Sequence, residues 1–153
     1  MKLTTYAQIG ALLLASTTAF ADSHEAASEE DAQLMIVEAA LAGGDAAAGE
    51  KIFKKCKACH MIGEGAKART GPALNNVVGA EIGDFEGFKY SAGMVALAEA
   101  DEIWTIENLN ALLIKPRDFV AKTKMSFAGL KDEQDRADLI AYLAGFTTVE
   151  ADD

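Results

Sequence analysis

Cys56-Lys57-Ala58-Cys59-His60 constrains this 153-residue chain more than any other feature. Two cysteines three apart with a histidine directly after them form an attachment signature for a c-type haem. If the segment is helical, all three side chains project from one side, because residues three and four apart share a helix face. The thiols can then bond the vinyl groups along one haem edge while the imidazole takes the iron from one face. Two other readings compete. A zinc site needs about four ligands, and His24 is the only other Cys or His in the chain. A thioredoxin-like dithiol belongs in an alternating strand–helix pattern, which this sequence lacks.

The N-terminus reads as an export signal. Lys2 is its only charge, residues 9–15 are a short apolar run, and Ala19-Phe20-Ala21 fits an A-x-A cleavage site. An uncleaved anchor is the competing reading, but Thr and Ser residues interrupt the stretch, and a membrane span wants about 20 mostly apolar residues. Cleavage after Ala21 would place the mature protein in the periplasm, where covalent haem is normally attached in bacteria. An oxidising compartment permits a Cys56–Cys59 disulfide, but His60 directly after them assigns both thiols to haem. The expected organisation is a signal peptide over 1–21, an acidic extension over 22–44, partly helical or disordered, one domain over 45–148 and an acidic tail over 149–153.

Charge is distributed in blocks. The net charge of −10 becomes one unit more negative once Lys2 leaves. Residues 22–50 carry eight acids and no base; residues 51–69 carry six bases against Glu64. Residues 70–114 return to seven acids against Lys89, residues 115–131 carry five bases against Asp118, and residues 132–153 carry seven acids against Arg136. That balance excludes a nucleic-acid partner and predicts a strong molecular dipole, with both basic islands beside candidate haem ligands.

Helical signals dominate. Asp45 after Gly43-Gly44 is a candidate N-cap for a helix running into the haem motif. Residues 63–76 are glycine-rich, contain Gly71-Pro72 and read as loop. Residues 92–100 and 106–114 pattern as helices, the second capped by Thr105 and stopped near Pro116. Asp132 caps a last helix with a Leu139, Ile140 and Leu143 stripe, and Gly145 is its expected stop. No segment alternates convincingly as a strand, so the expected fold class is all-α, a small domain wrapped on its prosthetic group.

CxxCH supplies one axial ligand. Met61 adjoins His60 and cannot reach the opposite haem face, Met35 lies in the extension and Met94 in a predicted helix. Met125 lies in the loop Thr123-Lys124-Met125-Ser126-Phe127-Ala128-Gly129, 65 residues after His60, and is the better candidate. A thioether raises the potential of the iron, and two filled axial positions leave no vacancy for a substrate.

From residue 44 to residue 146 the chain resembles a class I c-type cytochrome, similar to mitochondrial cytochrome c and the bacterial cytochromes called c-two. Gly49-Glu50-Lys51-Ile52-Phe53 resembles the family's N-terminal helix, and Leu139-Ile140-Ala141-Tyr142-Leu143 its C-terminal helix. The resemblance implies that these helices cross, with Gly49 and Phe53 facing Leu139 and Tyr142. Thr70-Gly71-Pro72-Ala73-Leu74 resembles the segment whose proline carbonyl accepts a hydrogen bond from the ligand imidazole, which implies that Pro72 orients His60. Tyr90, in Gly87-Phe88-Lys89-Tyr90, and Trp104 match positions that hydrogen-bond a haem propionate. Trp104 and Pro116 precede Met125 by 21 and nine residues, as in the mitochondrial pattern. Two positions depart from it: Leu112 stands where a tyrosine near the sulfur is common, and Ala80 where an arginine steadies a propionate.

The resemblance implies a monomeric one-electron carrier, not an enzyme, holding one haem c through Cys56 and Cys59 and its iron between His60 and Met125. Its implied donor is a bc-type quinol oxidase. Its implied acceptor is a terminal oxidase, a photosynthetic reaction centre or a denitrification reductase; donor and acceptor dock at the carrier's lysine-rich haem edge, and the carrier associates with the membrane only peripherally, through such complexes. An open-site haem enzyme or gas-binding protein, with Met125 displaced, is the alternative.

Overall fold

A computed structural model describes residues 28–148. The leader over 1–21, His24 and the tail over 149–153 lie outside the described residues. Among the described residues six helices occur in the order α1 (Glu29–Gly43), α2 (Ala46–Phe53), α3 (Ala92–Ala98), α4 (Ile106–Ile114), α5 (Pro116–Phe119) and α6 (Glu133–Ala144). Among the described residues the only β pairing is an isolated antiparallel bridge between Glu81 and Ile103.

Short polar side chains start all of these helices but α5. Ser28 and Asp31 form a capping box at α1, and three acids fill the first turn, where the helix dipole favours negative charge. Asp45 accepts the N–H groups of Ala47 and Ala48 at α2. Ser91, Thr105 and Asp132 cap α3, α4 and α6 in the same way.

Other boundaries differ from the sequence expectation. Residues 99 and 100 fall outside α3, whose wind-down leads into Asp101, a non-glycine residue at φ 54°. Pro116 does not simply stop α4; it opens the one-turn α5, where its missing N–H costs nothing. Gly145 is the stop expected for α6, though it ends the helix without a left-handed turn, at φ −63°. There the helix unwinds through three-residue closures, Phe146 N–H to Leu143 O at 3.0 Å and Thr147 N–H to Ala144 O at 3.0 Å.

The core forms where α2 packs on α6. Phe53, Leu139, Ile140 and Leu143 are buried there, and the Phe53 and Tyr142 rings lie 5.4 Å apart. Burying a side chain the size of Phe53 contributes about 2–3 kcal/mol. Gly49 makes this contact possible. A Cβ at that position would run into the Asp138 carbonyl and lie 2.7 Å from the Tyr142 Cβ. Val78, Ile82, Trp104, Leu109, Leu113 and Leu130 extend the same core.

α1 also packs on α6, burying Val37 and Ala40. The acidic extension is therefore helical over 29–43, and its outer face leaves Leu34, Met35 and Leu41 exposed. Among the described residues no helix is long and apolar enough to cross a membrane.

Asp138 ties the start of α2 to α6. The residue is buried, and its Oδ1 accepts the Asp45 N–H at 2.8 Å and the Gln134 amide at 2.8 Å. The Asp45 bond first, and then that from Gln134, hold its carboxyl below the usual range despite some desolvation. A depressed native pKa stabilises the fold above the unfolded-state value of 3.8 and is lost as pH falls toward the native value. Asp138→Asn is expected to lower stability at neutral pH and to flatten its acid dependence, read as urea midpoints across a pH series.

Candidate haem site

α2 ends at Phe53, so CxxCH is not a continuation of the helix; it lies on consecutive turns. Cys56 N–H bonds Phe53 O at 2.8 Å, Cys59 N–H bonds Cys56 O at 3.0 Å and His60 N–H bonds Cys56 O at 2.9 Å. The first two are three-residue closures, tighter than α-helix, while the last keeps one full α-type turn from Cys56 to His60. Both thiols are free and half-buried. Burial pushes the Cys56 thiol up, opposed by nearby Lys55 and reinforced by Cys59.

The glycine-rich loop then folds back on this turn. Gly71 N–H donates to Cys59 O at 2.9 Å and Leu74 N–H to Met61 O at 2.9 Å. Asn75 clasps Gly63 in both directions, accepting its N–H at 2.9 Å and donating to its carbonyl at 3.1 Å. Gly63 and Gly65 sit at φ 89° and 68°, conformations glycine adopts without steric cost.

This return brings Pro72 to His60. The His60 Nδ1 lies 2.8 Å from the Pro72 carbonyl oxygen. A carbonyl only accepts, so Nδ1 carries the proton and Nε2 keeps its lone pair. Burial lowers the imidazole's pKa, against a smaller upward pull from the Pro72 bond, and so favours the neutral ring that binds metal. Gly71 lies against the ring itself: a Cβ there would run into Cε1 and stand 2.7 Å from both ring nitrogens.

The other expected site residues come from three further segments. Tyr90 is half-buried, packs edge-on against Phe88 at 4.9 Å and accepts the Phe85 N–H at 3.3 Å, which leaves its own O–H free to donate. Burial raises its pKa, so the phenol stays protonated. Trp104 is buried against Phe119, with ring centroids 6.2 Å apart. Its backbone exchanges bonds with the neighbouring loop, to Ala80 O at 2.8 Å and from Gly79 N–H at 3.0 Å. Ala80 thus contributes a carbonyl to the Trp104 segment. Met125 is half-buried between α5 and α6, its N–H bonded to Thr123 Oγ1 at 3.1 Å.

The donor set fits a c-type haem. Two unoxidised thiols sit one turn apart, and an oriented neutral imidazole has Nε2 to give. Leu74, Leu112 and Phe127 are large apolar side chains packed on the core yet only partly covered, a surface suited to an apolar macrocycle. Gly71, Asn75 and Thr123 were not singled out as site residues from the sequence. Gly71 and Asn75 carried a visible signal, since both lie in or beside the glycine-rich loop, whereas Thr123 had none beyond its place two residues before Met125.

The fold and this site define an all-α protein built to carry one covalent haem. Residues 46–147 match the Cytochrome c family. The chain is 46% identical over 102 residues to cytochrome c2 of Afifella marina, covering 67% of this chain and 82% of that one. It is 45% identical over 101 residues to cytochrome c of Cannabis sativa, covering 65% and 88%. The solved structure of cytochrome c2 from Rhodospirillum centenum superposes with a TM-score of 0.63 at 44% identity, covering 69% of this chain and all of the other. The chain belongs to the cytochrome c family, as a class I c-type cytochrome. It carries one haem c attached through Cys56 and Cys59 and serves as an electron carrier rather than an enzyme.

Gly71→Ala is expected to push the imidazole off Pro72 and to destabilise the holoprotein by about 1–3 kcal/mol, the usual cost of overpacking. Urea melts give the stability, and the His60 Nδ1–H proton resonance reports the bond; an unshifted resonance contradicts the expectation.

Proposed function

We propose that this cytochrome is an exported, monomeric one-electron shuttle in which His60 and Met125 are the two axial ligands of the haem iron. The observation that carries this reading is the His60 imidazole, whose Nδ1 is spent on Pro72 O at 2.8 Å, leaving Nε2 as its donor. That bond orients the ring and makes it a stronger ligand. Met125 supplies a thioether from a well-separated loop, and a thioether favours the reduced iron. The bound haem supplies a one-electron couple. The chain's own part is to hold two ligands in place, to keep Tyr90 O–H and Trp104 N–H ready for the propionates, and to cover the macrocycle with Leu74, Leu112 and Phe127. Two protein ligands leave no open position for a substrate.

Charge supports a docking role. Lys54, Lys55, Lys57, Lys67, Lys122 and Lys124 are all exposed, the first four in the CxxCH island and the last two beside Met125. Ligation of one iron by His60 and Met125 draws these two islands together around it. Such an edge suits acidic faces on a bc-type quinol oxidase as donor and on a terminal oxidase, reaction centre or denitrification reductase as acceptor. Cleavage after Ala21 would deliver the protein to the periplasm.

Absorption spectra of the exported protein test the ligands. A ferric near-infrared sulfur-to-iron band, low-spin spectra and no response to carbon monoxide are expected, with an intact mass that begins at Asp22. A missing band with ready carbon monoxide binding means an open iron and overturns the carrier reading. Electron-transfer rates with an acidic partner should fall as salt rises, because exposed charges are screened beyond about 8 Å at physiological ionic strength. A flat rate across the series removes the lysine-steering argument.

A further inference from the structure

The segment between α5 and α6 is pinned at both ends by groups that ligation itself does not require. At its entry, Gly93 of α3 lies so close to Ala121 that a Cβ would collide with the Ala121 carbonyl. At its exit, Gly129, at φ 93°, is seated in the same way on the Ile114 carbonyl, and Leu130 N–H donates to Leu113 O at 2.8 Å. A glycine with positive φ four residues after Met125 is a natural hinge. Whether that hinge can move depends on how firmly residues 130–132, on its far side, are held.

Arg136 holds them, from the first turn of α6, with only 7% of its surface exposed. Its Nε donates to Asn110 Oδ1 of α4 at 2.6 Å. Its Nη1 is shared among the carbonyls of Leu130 at 2.9 Å, Lys131 at 3.0 Å and Asp132 at 3.0 Å. The ion pairs among the described residues are Lys55–Asp135 and Lys115–Asp118, so this guanidinium is buried without a carboxylate. A buried cation of that kind is costly, and an apolar side chain of similar size would serve packing at least as well. Packing therefore does not account for the charge. Its specific product is three consecutive carbonyls, at the end of the Met125 loop, held against α4 and α6 by charge-assisted bonds.

We propose that Arg136 is a positioning residue for Met125. It locks the loop exit behind the Gly129 hinge and so sets how readily the sulfur is displaced from iron, independently of how stable the helices are. This rests on the assignment of Met125 as an axial ligand.

The test uses the ferric holoprotein, titrated with free imidazole while the near-infrared sulfur-to-iron band is monitored, with urea melts by far-UV circular dichroism alongside. Arg136→Met is expected to bind imidazole about tenfold more tightly or more, the equivalent of one charge-assisted hydrogen bond. Arg136→Lys should fall between Met and wild type, because an ammonium can keep carbonyl bonds but cannot also hold Asn110. Asn110→Ala should move the affinity the same way by a smaller factor, and with Arg136→Lys it carries the test if Arg136→Met does not fold. Lowered urea midpoints with unchanged imidazole affinity overturn the proposal, since Arg136 would then serve the helices alone. A wild-type protein without the band overturns the Met125 assignment itself and the proposal with it, a result distinct from a band that the variants leave unaffected.

Discussion

Gly49 rests on the backbone of α6 at Asp138, and much of the site's placement depends on that approach. Without a side chain at this point α2 can settle onto α6 closely enough for Phe53 and Tyr142 to meet. Both ends of the contact lead to the haem site. α2 runs out into the CxxCH turn, and α6 begins where the Met125 loop ends. One helix pair thereby fixes the origin of each of the two proposed axial ligands, although they lie 65 residues apart in sequence. A larger residue at 49 would separate the helices and, with them, the feet of both ligand segments.

The polar groups buried in α6 extend that logic. Asp138 and Arg136 stand two residues apart with opposite charge, yet the hydrogen bonds of each go elsewhere. Asp138 takes up the free N–H at the start of α2, and Arg136 takes up the carbonyls at the end of the Met125 loop. Each satisfies backbone groups that regular secondary structure leaves over, which is the condition for burying charge without a partner. α6 thus acts on its neighbours through hydrogen bonds as well as through its apolar face.

Local chemistry made most of the helix starts legible. Asp45, Thr105 and Asp132 are short polar side chains before helical runs, and each caps the helix expected of it. Helix α4 has the bounds its pattern predicts. Endings were harder to read, because they depend on backbone closures that several residue types allow: the tightened turns of CxxCH, the one-turn α5 and the right-handed exit at Gly145. The Pro72–His60 bond was reached only through family resemblance, since no periodicity shows that a loop returns across 12 residues. Arg136 was invisible in another way. In the sequence it is one base in an acidic segment, and nothing local reveals that it is buried and bonded to four separate groups.

The acidic extension shows how far composition can mislead about packing. Rich in alanine and acids, residues 22–44 could have been solvated chain. A capping box at Ser28 and an internal stripe of Val37 and Ala40 are enough to place α1 on α6. The stripe is narrow, so only these two side chains are buried, and the outward Leu34, Met35 and Leu41 gain little from the contact. Gln33 nevertheless reaches across to Gly79, whose N–H bonds Trp104 O at 3.0 Å. The helix lies outside the span that matches the family, but it touches the loop that holds the buried indole. It therefore covers part of α6 and one side of the Trp104 segment at once, adding a layer to the domain without contributing a ligand.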